Sequence, residues 1–405
     1  MTSNNITQLA HLKYEYVDTQ SALAELCAKL NTADVITLDT EFVRTKTLRP
    51  RLGLLQVFDG QHLALIDPVV LDDLSCFVDI LSNPKIVKVL HSCSEDIEAL
   101  LHNLDATPYP LFDTQFANSL LGKGASVGYA NMIETMFSVT LDKGESRTDW
   151  LARPLSPKQL DYAAKDVSYL MAAYEVLKQE LELANLSDCV FSESELLIEK
   201  KRSPFPEASA YLLVANNWKL NGKSLYALKL LAQWRLREAR KHDIAINFVV
   251  KESAMLEIAM KLPETPSQLH QMHALFGKQV RLYGQKILSI VQQARDADEE
   301  EHLKPIQRLI GFAAHKKAMS DIKELVLKVE SKTGIPAAVL ASKKQIAQVL
   351  KWCWFDLDET EIQGLKPDLL HGWRRELFLE GLQALFDLDK PSEPTQGKYR
   401  ALRSL

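Results

Sequence analysis

Early in the chain, apolar residues come in short runs broken by turn residues; further on they recur at helical spacing. The run DVITLDTEF (34–42) predicts a buried strand that runs into carboxylates. LGLLQVF (52–58) and HLALIDP (62–68) predict two more short strands. LDDLSCFVDILS (71–82) then reads as a helix, KIVKVLHS (85–92) as a strand and SEDIEALLHNL (94–104) as a helix. After PLFDTQFANSLLG (110–122) the pattern is wholly helical. Three strands close in sequence, followed by strand–helix alternation, predict an α/β domain: a mixed sheet flanked by helices. At KKRSPFPEASAY (200–211) the composition turns polar and proline-containing, which marks a boundary.

Beyond that boundary a weak internal echo appears. YGQKILSIVQQA (283–294) and WRRELFLEGLQALF (373–386) are each preceded by a leucine-spaced segment, PSQLHQMHALFG and ETEIQGLKPDLLHG. The charged run RDADEEEH (295–302) lies between them and fits a linker or a solvated helix end. Two copies of one helical module, each of about 80 residues, account for this spacing. Two unrelated bundles would produce a similar echo, since helical periodicity repeats itself. The expected division is 1–202, 203–303 and 304–405.

Composition narrows the class. At 405 residues the chain exceeds one typical core, so two or three domains are expected. No run approaches 18 apolar residues and the N-terminus lacks a basic patch before an apolar stretch, so neither a membrane span nor a signal peptide is expected. The five cysteines form no C-x-x-C pair, which argues against a disulfide framework or a zinc site. A cytoplasmic, reduced protein with no membrane partner is the expectation. The net charge of −5 favours no partner, so nucleic-acid binding would need locally clustered cations.

Four acids stand out. Asp39 and Glu41, at i and i+2 of the first predicted strand, project from one side of it, where they repel each other unless a cation neutralises both. Asp96 follows an apolar strand and falls in the first turn of a helix; Ser94 or Ser92 can cap that helix, and acids there also suit its dipole. In LDYAAKDV (160–167), Tyr162 and Asp166 are one helical turn apart beside an apolar stripe. A solvated helix face is the plain reading of that pair. Four carboxylates from a strand, a helix start and a later helix would suit two Mg²⁺ or Mn²⁺ ions about 3.5–4 Å apart. Oxygen donors without Cys–His pairs point away from zinc.

In order along the chain, D-T-E (39–41), H-S-C-S-E-D (91–96) and Y-A-A-K-D (162–166) resemble the three exonuclease motifs of the DEDD superfamily, tyrosine subgroup. The surrounding RTDWLARPLSPKQLDYAAKDV (147–167) is similar to bacterial ribonuclease D. LAQWRLREARKHDIAINFVVKESAMLEIA (231–259), LPETPSQL (262–269) and LYGQKILSIV (282–291) resemble an HRDC domain; the second module, from about Lys304, departs more. The resemblance covers nearly the whole chain. It implies a ribonuclease-H-like exonuclease fold followed by two all-α HRDC-like domains. It also implies a 3′–5′ exoribonuclease that removes nucleotides from RNA 3′ ends and releases 5′-monophosphates, with 3′-extended tRNA precursors as the usual substrates; a monomer is expected, though the sequence does not fix the oligomeric state.

By the same resemblance, Asp39, Glu41 and Asp166 hold one metal that acidifies the attacking water. Asp39 and Asp96 hold a second that stabilises the leaving 3′ oxygen, and Tyr162 orients or deprotonates the water. Thr40, Phe42 and His91 are candidate substrate contacts, although Phe42 is equally a core residue and His91 a packed or capping one. Asp113 is expected to cap its helix. LNGKSL (220–225) lacks the first glycine of a phosphate loop, having Asn217 there, so no ATP use is expected. The helix 223–241 carries Lys223, Lys229, Arg235, Arg237, Arg240 and Lys241 against Glu238, either a phosphate-binding face or a soluble one. A DNA exonuclease and a catalytically idle nucleic-acid-binding scaffold remain as alternatives. A chain ending near residue 200 keeps every candidate acid and is expected to degrade short RNA.

Overall fold

A computed structural model describes residues 6, 9, 12–142, 144–298, 301 and 303–386. Six strands form one mixed sheet: β1 (Glu15–Val17), β2 (Val35–Val43), β3 (Arg51–Phe58), β4 (Leu63–Ile66), β5 (Val87–Leu90) and β6 (Leu111–Asp113). Their order is β1-β4-β3-β2-β5-β6; β2, β3 and β4 form an antiparallel meander, and β1, β5 and β6 join in parallel. The runs 34–42, 52–58, 62–68 and 85–92 are the strands expected of them. β1 and β6, three residues each, carry too little pattern to be read in advance.

One face of the sheet is covered by helices α1 (Gln20–Leu30), α2 (Ser75–Ser82) and α3 (Ser94–Leu104). The other face meets α4 (Thr114–Leu120), α5 (Tyr129–Phe137) and α6 (Pro157–Ala184). At 28 residues α6 crosses β2, β3, β4 and β5. Its start is sharply specified: the Ser156 side chain accepts from Gln159 N, the Gln159 side chain accepts from Ser156 N, and Pro157 occupies the first turn. A bulge separates the two sheet faces at a defined point. Glu41 pairs with Leu54 but Phe42 with Leu52, leaving Gly53 as the extra residue of β3. Leu54 therefore packs toward α6 and Leu52 toward α1–α3. Only glycine fits there, because a Cβ at residue 53 would lie 2.5 Å from the Trp150 carbonyl oxygen.

After α7 (Ser187–Arg202) the chain is helical, the longer helices being α8 (Gly222–His242), α9 (Glu252–Lys261), α10 (Gly277–Asp296), α11 (His315–Thr333), α12 (Lys343–Trp354) and α13 (Gly372–Leu385). The echoing segments 283–294 and 373–386 lie in α10 and α13. The two helical modules differ in how they are held. Residues 211–294 close a core of their own. Residues 314–386 share one continuous apolar cluster with the α6 side of the sheet, where Phe116 meets Trp373 at 6.2 Å. That contact also carries a buried ion pair between Arg374 and Glu193, and Ser192 Oγ accepts from Trp373 N at 3.1 Å. A chain ending near residue 200 therefore keeps the acids but strips apolar cover from its own core, which the linear pattern did not disclose. No helix among the described residues is long and apolar enough to cross a membrane.

Candidate active site

The site begins with the alternation of β2. Thr37, Asp39 and Glu41 share the face turned to α6, and the Thr37 hydroxyl donates to the Val167 carbonyl at 2.9 Å. That bond fixes α6 against β2 one residue from Asp166. On α6, Tyr162 and Asp166 stack one turn apart, and the phenol eases the Asp166 carboxyl downward. Asp39, Glu41 and Asp166 each present an oxygen within 4.8 Å of the others. The face beside the apolar stripe of α6 is thus one wall of an acidic site.

Asp96 reaches the site from the other layer. Its Oδ1 accepts from Thr40 Oγ1 at 2.5 Å, so it sits beside the strand without joining the three-acid cluster. Neither Ser92 nor Ser94 caps α3: the N-cap is Cys93 and makes no side-chain cap bond. Instead Ser92 takes a left-handed backbone at φ 59°, and Asp113 accepts from Ser92 N at 2.9 Å and Cys93 N at 3.3 Å. The same carboxylate caps α4 through Gln115 N and Phe116 N. Asp113 caps its helix as expected and also sets the turn that delivers Asp96, a role its local sequence does not signal.

Electrostatically the acids are out of balance. Burial, followed by Asp96, Asp166 and Glu41, pushes Asp39 well above the usual carboxylate range. Burial and then Asp166 and Asp96 push Glu41 up to about 9. Burial alone raises Asp166 to about 7 against the help of the Tyr162 hydrogen bond. Asp96 rises to about 6, again through burial, with Thr40 opposing. Tyr162 is raised by burial and then by Asp166, Glu41 and Asp39, so it keeps its proton. Among the described residues none of the four acids forms an ion pair; the nearby Lys165 pairs with Asp161 at 2.6 Å. Hard carboxylate donors with no internal cation fit a divalent metal.

The three candidate substrate contacts are placed as follows. Thr40 is buried and bonded to Asp96. Phe42 is partly buried against the cluster on the α3 side. His91 Nδ1 lies 3.0 Å from Thr114 Oγ1 and its Nε2 3.1 Å from the Val127 carbonyl, so both ring nitrogens are taken by protein. Two residues went unread in the sequence. Tyr129 donates to the Lys165 carbonyl at 3.0 Å beside Asp166, and Trp150 packs on the Tyr162 ring at 6.2 Å. The motif 147–167 contained Trp150, but only the fold shows what it supports.

A mixed sheet on which three carboxylates and a tyrosine converge fits a 3′–5′ exonuclease with donors suited to a divalent cation. The family described as 3′-5′ exonuclease matches residues 14–182, that described as HRDC domain matches 224–291, and that described as Ribonuclease D, C-terminal HRDC domain matches 314–382. The chain is 40% identical to Ribonuclease D of Escherichia coli K12, over 92% of this chain and 98% of that protein. It is 39% identical to Ribonuclease D of Musicola paradisiaca, over 92% and 99% respectively. The crystal structure of Escherichia coli RNase D, described as an exoribonuclease involved in structured RNA processing, superposes with a TM-score of 0.85 over 91% of this chain and 97% of that one, at 40% identity. The catalytic core of RRP6 from Trypanosoma brucei is similar at 26% identity and a TM-score of 0.58, covering 70% and 80%. The chain belongs to the ribonuclease D family and is a 3′–5′ exoribonuclease.

Proposed function

We propose that this exoribonuclease trims the 3′ ends of structured RNA, tRNA precursors foremost, releasing 5′-monophosphates. The convergence of Asp39, Glu41 and Asp166 without an internal cation carries the reading. The processing of structured RNA by the Escherichia coli relative supports the choice of substrate. Two Mg²⁺ or Mn²⁺ ions, when bound, would supply an acidified water and a stabilised leaving oxygen. Asp39, Glu41 and Asp166 would hold one, and Asp39 with Asp96 the other. Thr40 holds Asp96 in place, and Thr37 with Tyr129 holds the backbone around Asp166. Tyr162, one turn from Asp166, would orient the attacking water. The protein works as a cytoplasmic monomer without ATP, its exonuclease domain spanning 1–202 and its helical domains 203–303 and 304–405.

Incubation with 3′-extended tRNA, single-stranded RNA and single-stranded DNA, with and without Mg²⁺ or Mn²⁺, tests the reading. Metal-dependent release of 5′-mononucleotides from both RNAs is expected; equal turnover of DNA would redirect the assignment to either backbone. Asp39→Asn, Glu41→Gln, Asp96→Asn and Asp166→Asn should each nearly abolish hydrolysis with the fold intact. Tyr162→Phe should keep RNA and metal binding but lower kcat about 10²–10⁴-fold. A raised KM with normal kcat would mean that the phenol only grips substrate.

A further inference from the structure

The basic helix 223–241 does not form one cationic face. Arg235 is buried and bonded to Asn247, Lys223 donates to the Arg295 carbonyl, and Arg237 and Arg240 share Glu207. Positive charge collects instead where the exonuclease sheet meets the first helical module. The loop 44–50 continues directly from β2, the strand of Asp39 and Glu41, and docks on that module. Ala245 N donates to the Lys46 carbonyl at 2.8 Å, Arg49 N to Asp243 Oδ1 at 3.2 Å, and Leu48 packs on the module's core.

Beside this loop lies a cleft of about 430 Å³. Arg44, Arg49, Lys200, Lys201 and Arg240 line it, and Glu98 is the one carboxylate among its lining residues. Arg44 and Lys201 both pair with Glu98, at 2.8 and 3.0 Å, so one negative charge serves two positive ones. Even with Glu207 and Asp368, which pair with Arg240 and Lys200, and Asp243 beside Arg49, the five cations outnumber the carboxylates around them by one. Arg49 is exposed and, among the described residues, makes no ion pair. His102, also in the wall, has its pKa lowered by burial and then by Arg49, with Asp243 and Glu98 opposing. In a chain of net charge −5 this surplus is a local arrangement and not a product of composition.

Three residues of extended chain separate Glu41 from Arg44, about 10 Å. The acids lie on the α6 face and the cleft beside α3, so a strand ending at the acids would round the end of β2 past Arg44 to enter it. Phe205 lines the same cleft and offers a ring to a base. A cationic groove with an aromatic platform is the arrangement that holds single strands without reading sequence.

We propose that this cleft holds the sugar–phosphate backbone of the RNA upstream of its 3′-terminal nucleotide, with Arg49 and Arg44 as phosphate contacts. The assignment rests on the exoribonuclease reading, which places the 3′ end at the acids. The test is the affinity of the full-length protein for a single-stranded RNA of about ten nucleotides, in EDTA, across a salt series. Arg49→Ala should weaken binding about ten-fold, the worth of one charge-assisted hydrogen bond. It should also flatten the log–log salt slope by about 0.7, and Arg49→Lys should recover most of both. With Mg²⁺ present, the loss in kcat/KM should fall on the long RNA and be much smaller on a dinucleotide, which is too short to reach the cleft. Unchanged affinity and slope, or an equal loss on both substrates, would overturn the proposal. Because binding is read without metal, slope-dependent binding by a protein that fails to hydrolyse RNA would support the cleft and count against the functional reading.

Discussion

Two carboxylates of one sheet, on either side of β3, meet opposite fates. Asp67 follows β4, with its side chain 1% exposed, and Arg153 grips it through Nε and Nη2, both at 2.6 Å. Tyr16 and Val69 N complete its shell. Burial alone would raise its pKa, but Arg153, Tyr16 and Val69 draw it below the usual carboxylate value. The remaining Arg153 donors go to the carbonyls of Trp150, Ala152 and Gly53, so the guanidinium locks the segment under Tyr162 to the bulge opposite Glu41. Asp39, on β2, has no such partner among the described residues, and its acidic neighbours raise its pKa after burial does. The fold itself neutralises one charge and, among the described residues, supplies no cation for the other. A buried acid marks a functional site when its compensation is missing, not merely because it is buried.

The contrast is open to direct attack, and catalysis shows the largest effect. Asp39→Asn should cost several kcal/mol of transition-state stabilisation, roughly three decades of kcat/KM or more. In metal-free protein the same change should leave stability equal or higher, because it removes a desolvated, repelled charge. Arg153→Ala should do the reverse to stability, lowering urea-unfolding free energy by about 3–5 kcal/mol by stranding a buried anion. If Asp39→Asn destabilised the metal-free protein as much as Arg153→Ala, the distinction between the two acids would collapse.

The pH dependence carries the same contrast with opposite signs. Asp166 and Glu41 have folded pKa values raised to about 7 and about 9. Their contribution to metal-free stability is complete below the ordinary carboxylate pKa and is lost as pH rises through those values. Asp67, with its pKa lowered, contributes above the ordinary value and loses that contribution as pH falls through its folded pKa. Metal-free protein should therefore weaken from about pH 5 to about pH 9 in urea titrations. Mg²⁺ at about 100 times its Kd should return roughly 2.7 kcal/mol at the upper end. A flat profile over that interval, or an equal response to Mg²⁺ in Asp39→Asn, would count against an uncompensated cluster. The smallest effect is expected at Thr37→Val. Loss of its bond to the Val167 carbonyl should cost about 1 kcal/mol, with a fall in kcat through misplacement of Asp166.

Much of the site could be read in the linear sequence because its members are short-range signals. Asp39 and Glu41 are two apart on a strand and Tyr162 and Asp166 four apart on a helix, so local periodicity already puts each pair on one face. Asp67 shows the limit of such reading. It ends an apolar strand much as Asp39 lies in one, and only the approach of Arg153, 86 residues away, separates their roles. Asp113 was read as a helix cap and is one, yet the turn it builds for Asp96 depends on contacts 20 and 21 residues back. His91 carried no mark of Val127 and Thr114 closing on both of its nitrogens.

The sequence by itself determined the strands and helices that bear strong periodicity, the echo of two helical modules and the pairing of acids within each element. These follow from backbone geometry over a few residues, which any window of the chain displays. Tertiary structure alone decided which acids meet across elements, which of them the fold neutralises, and that residues 314–386 complete the core of the sheet while residues 211–294 close a core of their own. It also gathered Arg44, Arg49, Lys200, Lys201 and Arg240 around one cleft from three separate segments. Charge compensation and shared burial act over distances in space of a few ångströms, and residues that close can lie 200 positions apart in the chain. The linear pattern holds no record of those separations.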